Sequence, residues 1–343
     1  MRIAINGFGR IGRLFFRQVL REKDMEIVAV NDLGKLENLA YLLQYDSVYG
    51  KLEEKVLVEK GATGDWGKIA VDKKSFEVFS VSDPSQLPWG KLDIDVVVEA
   101  TGVFESYDKA KVHIGAGAKR VVITAPAKDE DGAGGKTILA GVNENEIGSC
   151  AVTSNGSCTT NAVSSVIQIL DEYLGVEKAI LSTTHGYTAT QSLVDGPVRG
   201  SDPRRGRAAA QNIVPSTTGA AIAVTRAIPK LAGKFDGIAL RVPVAAGSIA
   251  DITFVAKRDT TPQEVNEILV KAEGEARWKG IMKTTAEPVV SSDILKEPYG
   301  AIVDLNFTKV VGGNLVKVLS WYDNEWGYVS TLVQHVKAVA RNL

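Results

Sequence analysis

The sequence predicts an α/β protein of two domains, and three observations carry that prediction. At 343 residues the chain is long for a single hydrophobic core. Its N-terminus runs strand, glycine-rich turn, helix, strand and acid, the beginning of a parallel sheet flanked by helices. In the C-terminal half the strands alternate apolar and polar residues instead, as a sheet with one covered face does.

Composition narrows the function. A net charge of −1 argues against gripping nucleic acid or an anionic membrane, since both need an excess of cations. No apolar run approaches the ~20 residues that span a bilayer, and Met1-Arg2 leads straight into an apolar strand rather than a secretory signal. The two cysteines, Cys150 and Cys158, fit a reducing compartment and give no metal-ligand spacing. The expectation is a cytoplasmic protein acting on small molecules without a metal.

Arg2–Asn6 reads as a short apolar strand. Gly7-Phe8-Gly9-Arg10-Ile11-Gly12 follows, then a helix through Glu22 with Ile11, Leu14, Phe15 and Val19 at helical spacing. Met25–Asn31 is a second apolar run that ends in Asp32. A lone G-x-G-x-x-G is weak. Between strand and helix, with an acid twenty residues past its last glycine, it marks a dinucleotide site. Gly7 permits the tight turn, Gly9 lets backbone approach a pyrophosphate, and Gly12 lets the helix lie close to the sheet. The helix start receives the pyrophosphate. Asp32 would accept from the ribose hydroxyls and repel a 2′-phosphate, which favours NAD and disfavours NADP. Short strands follow over 55–59, 68–71 and 76–81, then a buried strand over 93–100 closed by Thr101-Gly102. A helix over 106–116 and a strand over 120–124 come next. Ligands of open α/β sheets sit at the carboxyl ends of strands, so Asn6, Asp32, Thr101, Gly102 and Thr124 should line one crevice. The charged, glycine-rich stretch 128–136 reads as a surface loop.

Ser154-Asn155-Gly156-Ser157-Cys158-Thr159-Thr160-Asn161 sets one cysteine among small polar residues, ahead of Val163, Val166, Ile167 and Leu170 at helical spacing. Ser, Thr and Asn cap helices, so a helix begins within this run with its first N–H groups free. A thiol there lies at the positive end of the helix dipole, which favours the thiolate, and the free N–H groups suit an anion or an oxyanion. The plainer alternative is a small hydrophobe filling a gap. Of three histidines, His113 and His335 lie in helix patterns and are assigned to packing or the surface. His185 ends the apolar strand 178–184. A helix that runs from Cys158 to about Tyr173 and a strand that runs back return this imidazole to the helix start, which suits a thiolate–imidazole pair.

Arg199, Arg204, Arg205 and Arg207 crowd the aperiodic stretch 187–211. They suit a phosphorylated small molecule, since guanidinium groups bind phosphate in two-pronged fashion, although some could make only surface ion pairs. Ser216–Ala220 is a second hydroxyl-rich anion site, capping a helix over 221–227. Arg241 needs a partner inside the apolar strand 238–244, and a phosphate or a carboxylate would each serve. Strands over 250–257, 301–303 and 315–320 follow, with a helix from Thr261 that has Pro262 first. Trp321–Tyr328 precedes a last helix to Leu343, and Asn324 within it is an amide suited to orient a nicotinamide carboxamide.

Together these stretches closely resemble the phosphorylating glyceraldehyde-3-phosphate dehydrogenases, over the whole chain. The carriers are INGFGRIGR (5–13), Asn31-Asp32, EATG (99–102), ITAPAKDE (123–130), SNGSCTTN (154–161), HGYTATQ (185–191), STTGAA (216–221), RVPV (241–244) and WYDNEWGY (321–328). The resemblance implies a Rossmann-type NAD-binding domain over 1–157, to which a helix over about 324–343 returns. It implies an α+β catalytic domain over 158–323 on a mostly antiparallel sheet, and a homotetramer. Cys158 resembles the nucleophile and His185 the base. Ser157, Thr159, Thr188, Arg205, Thr218, Gly219 and Arg241 resemble phosphate binders, and Arg10, Ile11, Asp32, Thr124 and Asn324 resemble NAD contacts. The implied reaction converts D-glyceraldehyde 3-phosphate to 1,3-bisphosphoglycerate, in glycolysis or gluconeogenesis, through a cysteine thiohemiacetal and thioester. Ala162, Gly186, Gly156 and Ser82 depart from common family residues, and Ser82 falls near the adenosine. Three competing readings stand beside this one. Erythrose-4-phosphate dehydrogenase shares the scaffold but releases an acid. A cysteine hydrolase would need no dinucleotide, and a non-enzymatic nucleotide-binding protein would tolerate loss of Cys158.

Overall fold

The computed structural model describes residues 1–61, 66–198 and 200–343. Two compact units divide the chain. One comprises Met1–Ile138, Glu144–Gly156 and Leu332–Leu343, and the other Leu139–Asn143 and Ser157–Thr331.

The first unit is built on β1 (Arg2–Asn6), β2 (Glu26–Asn31), β3 (Val56–Lys60), β4 (Gly67–Val71), β5 (Lys74–Phe79), β6 (Val96–Glu99), β7 (Arg120–Ile123), β8 (Lys136–Thr137) and β9 (Val152–Ser154). They form one sheet in the order β3-β4-β5-β2-β1-β6-β7-β9-β8. Pairing is parallel except at the β3–β4 and β4–β5 edge. The central strands are covered on both faces, so β6 is buried at every residue and reads as an unbroken apolar run. Helix α1 (Arg10–Val19) follows β1 through the glycine turn. Gly7 has φ +96, and a Cβ there would meet the Thr101 nitrogen at 2.6 Å; a Cβ on Gly12 would meet the Gly7 carbonyl oxygen at 2.1 Å. Only glycine lets β1, α1 and the exit of β6 converge so closely.

Several expectations shift here. The first helix stops at Val19 rather than Glu22, and α2 (Leu36–Gln44) was not expected. The segment 106–116 is two short helices, α3 (Tyr107–Ala110) and α4 (Val112–Gly115), with the Ser106 hydroxyl capping the first. The 93–100 strand shortens to β6, because Asp93 takes φ +49 and turns the chain. The 128–136 loop holds a bridge between Gly132 and Gly135 and ends by entering β8.

The second unit centres on α5 (Cys158–Leu174), most of whose residues are buried. Ser157 caps it through a reciprocal box: its hydroxyl accepts from the Thr160 N–H, and the Thr160 hydroxyl accepts from the Ser157 N–H. Its sheet comprises β10 (Val176–Gly186), β11 (Val214–Thr217), β12 (Phe235–Val242), β13 (Ser248–Ala256), β14 (Met282–Thr285), β15 (Ala301–Val311) and β16 (Leu315–Tyr322). Their order is β11-β12-β10-β13-β16-β15-β14. Antiparallel pairs predominate, with β10–β12 and β14–β15 parallel. Along β13 burial alternates residue by residue, the mark of a strand with one core face. The apolar side of this face packs on α5, α6 (Ala220–Ala227) and α7 (Pro262–Glu273), which begins at Pro262 behind a Thr261 cap. Ser216 and Thr217 belong to β11, so they do not cap α6 as expected; Gly219 holds that position. The terminal helix α8 (Trp326–Ala340) has residues in both units.

Candidate active site

Cys158 is the first residue of α5 and His185 the penultimate residue of β10. Sγ and Nε2 lie 3.3 Å apart. The strand does return the imidazole to the helix start. His185 Nδ1 is 2.6 Å from the Gly186 carbonyl oxygen, and Nε2 faces the thiol. His185 and Arg241 are register partners on the parallel strands β10 and β12, and Arg241 Nη1 stands 2.9 Å from the same Nδ1. Burial and this cation push the imidazole down to about 3. Burial also pushes the Cys158 thiol up, against the pull of Arg241 and of hydrogen bonds at Thr159. The expected helix-dipole effect is therefore outweighed, since a dipole contributes ~0.3–2 kcal/mol and desolvation of a buried charge costs more.

Tyr322, at the end of β16, closes the pair from below. Its ring stands edge-on to His185 at 5.9 Å, and its hydroxyl bonds Thr159 Oγ1 at 2.9 Å and Thr183 Oγ1 at 2.7 Å. Burial pushes this phenol up, so it stays a donor. Thr159, assigned by resemblance to phosphate, thus spends its hydroxyl on Tyr322.

Arg205 is oriented by β11: its Nε and Nη2 donate to Ser216 Oγ at 3.1 and 2.8 Å, and Nη1 donates to Thr190 Oγ1 at 3.3 Å. Thr190 Oγ1 lies 3.0 Å from Thr188 Oγ1, so Thr188, Thr190 and Arg205 form one cluster. Arg205 and Arg241 both help to depress His185, and burial, with Arg205, depresses Arg241. Arg241 Nε is buried without a partner among the described residues, as a guanidinium prepared for an anion would be. Thr218 accepts from the Ala220 N–H beside Gly219 at the start of α6. Arg204 and Arg207 pair instead with Asp202 and Asp195 at the surface; Arg199 lies outside the described residues.

In the other unit a groove of about 310 Å³ is lined by Gly7, Gly9, Asp32, Ser82 and Thr101 among others. Nothing lies within 4 Å of where a Gly9 Cβ would be, which leaves the backbone open to a ligand. The Asp32 carboxylate is held by the Phe8 and Gly34 N–H groups at 2.7 and 2.8 Å. These features fit a dinucleotide with a free ribose 2′-hydroxyl. Arg10 is paired with Asp46, and the Thr124 hydroxyl donates to the Glu99 carbonyl; neither they nor Ile11, Gly12 and Gly102 line this groove. Below it lies a buried polar chain. Trp89 Nε1 donates to His113 Nδ1 (3.1 Å), and His113 Nε2 to Glu99 (3.0 Å). Glu99 also accepts from Asn6 Nδ2 (2.6 Å), from the Thr101 N–H (2.9 Å) and from the Thr101 hydroxyl.

Comparison with known proteins matches this layout. Residues 1–107 fit the family model described as glyceraldehyde 3-phosphate dehydrogenase, NAD binding domain, and residues 157–324 the model described as its C-terminal domain. The chain belongs to the glyceraldehyde-3-phosphate dehydrogenase family. It is 46% identical to the glyceraldehyde-3-phosphate dehydrogenase of Streptomyces coelicolor and 45% identical to glyceraldehyde-3-phosphate dehydrogenase 2 of Streptomyces avermitilis. Each alignment covers 100% of this chain and 99% of the relative. The enzyme of that name from Mycobacterium tuberculosis is 46% identical over 350 residues, with the same coverage. As a member of the family the protein is an NAD-dependent oxidoreductase, with the Rossmann-type and α+β architecture the sequence predicted.

Asn324 lies in the second unit. Its Oδ1 accepts from the Gly247 N–H (3.1 Å) and the Ser248 hydroxyl (2.8 Å). Reading the sequence gave no role to Tyr322, Thr183, Thr190 or Ser248, and placed Ser216 only within the hydroxyl-rich anion site 216–220. Thr190 and Tyr322 stood inside the quoted HGYTATQ and WYDNEWGY runs, whereas Thr183 and Ser248 carried no local signal.

Proposed function

We propose that Cys158 is the nucleophile and His185 the acid–base group in the oxidation of D-glyceraldehyde 3-phosphate to 1,3-bisphosphoglycerate. The 3.3 Å approach of Sγ to Nε2 carries the reading, together with two arginines that converge on the same imidazole. As Sγ bonds to the aldehyde carbon, its proton passes to Nε2, and the imidazolium then protonates the former carbonyl oxygen to give a thiohemiacetal. His185 takes that proton back as the carbon is oxidised. Bound NAD supplies the hydride acceptor. Inorganic phosphate attacks the resulting Cys158 thioester, releasing the acyl phosphate and restoring the thiol. The Cys158 N–H at the helix start and the protonated His185 stabilise the oxyanion.

Arg205, Arg241, Thr188, Ser157, Thr218 and Gly219 are assigned to the two phosphates; Thr159 joins them only if its bond to Tyr322 opens. Gly7, Gly9, Asp32 and Thr101 are assigned to NAD in the groove, and Asn324 to its carboxamide. Residues 1–157 with the helix over about 324–343 form the NAD-binding domain in this reading, and 158–323 the catalytic domain. The resemblance also supports a cytoplasmic homotetramer. Consistent with that placement, no helix among the described residues is long and apolar enough to cross a membrane.

The test is NADH formation from glyceraldehyde 3-phosphate with and without phosphate, comparing NAD with NADP. Oxidation that requires phosphate or arsenate and prefers NAD is expected. Oxidation indifferent to both anions would instead favour the acid-releasing erythrose-4-phosphate chemistry, which the named relatives do not favour. Cys158→Ser should abolish turnover and leave NAD binding in place; substantial residual oxidation overturns the nucleophile assignment.

A further inference from the structure

We propose that Ser248 is a positioning residue for hydride transfer, whose hydroxyl links the backbone beside His185 to the side chain of Asn324. Ser248 opens β13 and is 1% exposed. Its Oγ accepts from the Gly186 N–H at 3.1 Å and donates to Asn324 Oδ1 at 2.8 Å. The Gly186 N–H can only donate, so Oγ accepts that bond, and an amide oxygen can only accept, so the hydroxyl proton goes to Oδ1.

Asn324 Oδ1 also accepts from the Gly247 N–H at 3.1 Å. A backbone N–H cannot accept, so this bond identifies the oxygen edge of the amide and excludes the flipped orientation. With both lone pairs of Oδ1 taken, the amide plane is set from two directions. Asn324 is 5% exposed, and its Nδ2 donates to nothing among the described residues. This is the edge the side chain retains for a ligand. Ser248 is also the register partner of Tyr322 across β13 and β16, and the Tyr322 ring stands against His185. One buried hydroxyl therefore ties together the peptide after the base, the strand carrying Tyr322, and the amide assigned to the cofactor.

The consequence rests on the assignment of Asn324 to the nicotinamide carboxamide. Loss of the Ser248 hydroxyl leaves Oδ1 with one donor and orphans the Gly186 N–H, so the amide turns and the base loosens. The adenosine and ribose contacts belong to other residues and stay as they are.

The experiment measures NAD and ADP-ribose dissociation constants, kcat, and the primary isotope effect with aldehyde-deuterated substrate. It uses the full-length wild-type protein, Ser248→Ala, Asn324→Ala and the double variant. Ser248→Cys, which has nearly the same shape and a poor donor, serves if the alanine variant fails to fold. The expected Ser248→Ala phenotype is NAD binding weakened about 5- to 10-fold, ADP-ribose binding unchanged within about 2-fold, and kcat lowered about 10-fold with a larger isotope effect. The double variant should bind NAD no more weakly than Asn324→Ala, since the effect of Ser248 on the cofactor passes through that amide. Equal weakening toward NAD and ADP-ribose would reveal a merely structural role and overturn the proposal. Wild-type kinetics in a folded Ser248→Ala or Ser248→Cys protein, or full additivity of NAD affinity in the double variant, would also overturn it. Wild-type protein that forms no NADH from the aldehyde would instead sink the functional reading beneath it.

Discussion

Replacing Glu99 by glutamine removes a charge and almost no volume, and the structure sets the cost. One carboxylate oxygen accepts from Asn6 Nδ2 and His113 Nε2, the other from the Thr101 N–H and hydroxyl. His113 cannot become an acceptor at Nε2 without losing the Trp89 indole N–H at Nδ1, and Asn6 cannot flip because its Oδ1 takes a bond from Asn31. The new amide must therefore turn its NH₂ toward Thr101, whose hydroxyl can rotate to accept it. The Thr101 N–H is then left without an acceptor. That residue stands at the open groove, so water softens the loss to ~1 kcal/mol, and the buried bonds from Asn6 and His113 lose charge assistance worth ~1 kcal/mol more. A total of about 2 kcal/mol lowers the melting temperature by roughly 4–8 °C. Because Thr101 lines the groove, NAD affinity should fall with it, by about 5-fold. Calorimetric melting and titration with NAD check both numbers. A variant as stable as the wild type, or more stable, would mean that desolvation of the carboxylate outweighs its four bonds, and the reasoning would fail.

Two further substitutions probe the catalytic unit. His185→Asn should lower kcat by ~10²–10⁴ and flatten its dependence on pH; a rate within a few-fold of wild type would remove the imidazole from the chemistry. Arg241→Leu should raise KM for glyceraldehyde 3-phosphate about 10- to 100-fold while leaving unphosphorylated glyceraldehyde nearly unaffected. Removing that cation also lifts His185 from its depressed value of about 3, so the acidic limb of the rate profile should move to higher pH. A limb that stays put would show that Arg241 does not govern the imidazole.

What could be read in the chain was what chain neighbours determine. The Gly7-to-Asp32 unit is a local geometry, and the hydroxyl-rich run ahead of Val163 announces a helix start because capping needs only adjacent residues. The meeting of Cys158 and His185 followed from one helix and one returning strand. The roles of Tyr322, Ser248 and Ser216 could not be read because they depend on which strands pair and in what register, and nothing within a few residues of them encodes that. Segment 106–116 looked like one helix because its apolar spacing continues past Lys111, yet the structure breaks it into two turns there. The push of burial on the Cys158 thiol was not legible for a related reason. A helix terminus is visible in sequence, whereas the depth at which the fold buries it is not.

The placement of His185 and Arg241 as facing positions on two parallel strands constrains how specificity can change. Neither residue can be displaced along its strand without sliding a ladder that also carries core side chains. Arg205, Thr188 and Thr190 ride on the connection between β10 and β11, where insertions and deletions do not disturb strand pairing. Redesign for a longer or shorter aldehyde should therefore lengthen or trim that connection and keep the paired strands as a fixed ruler.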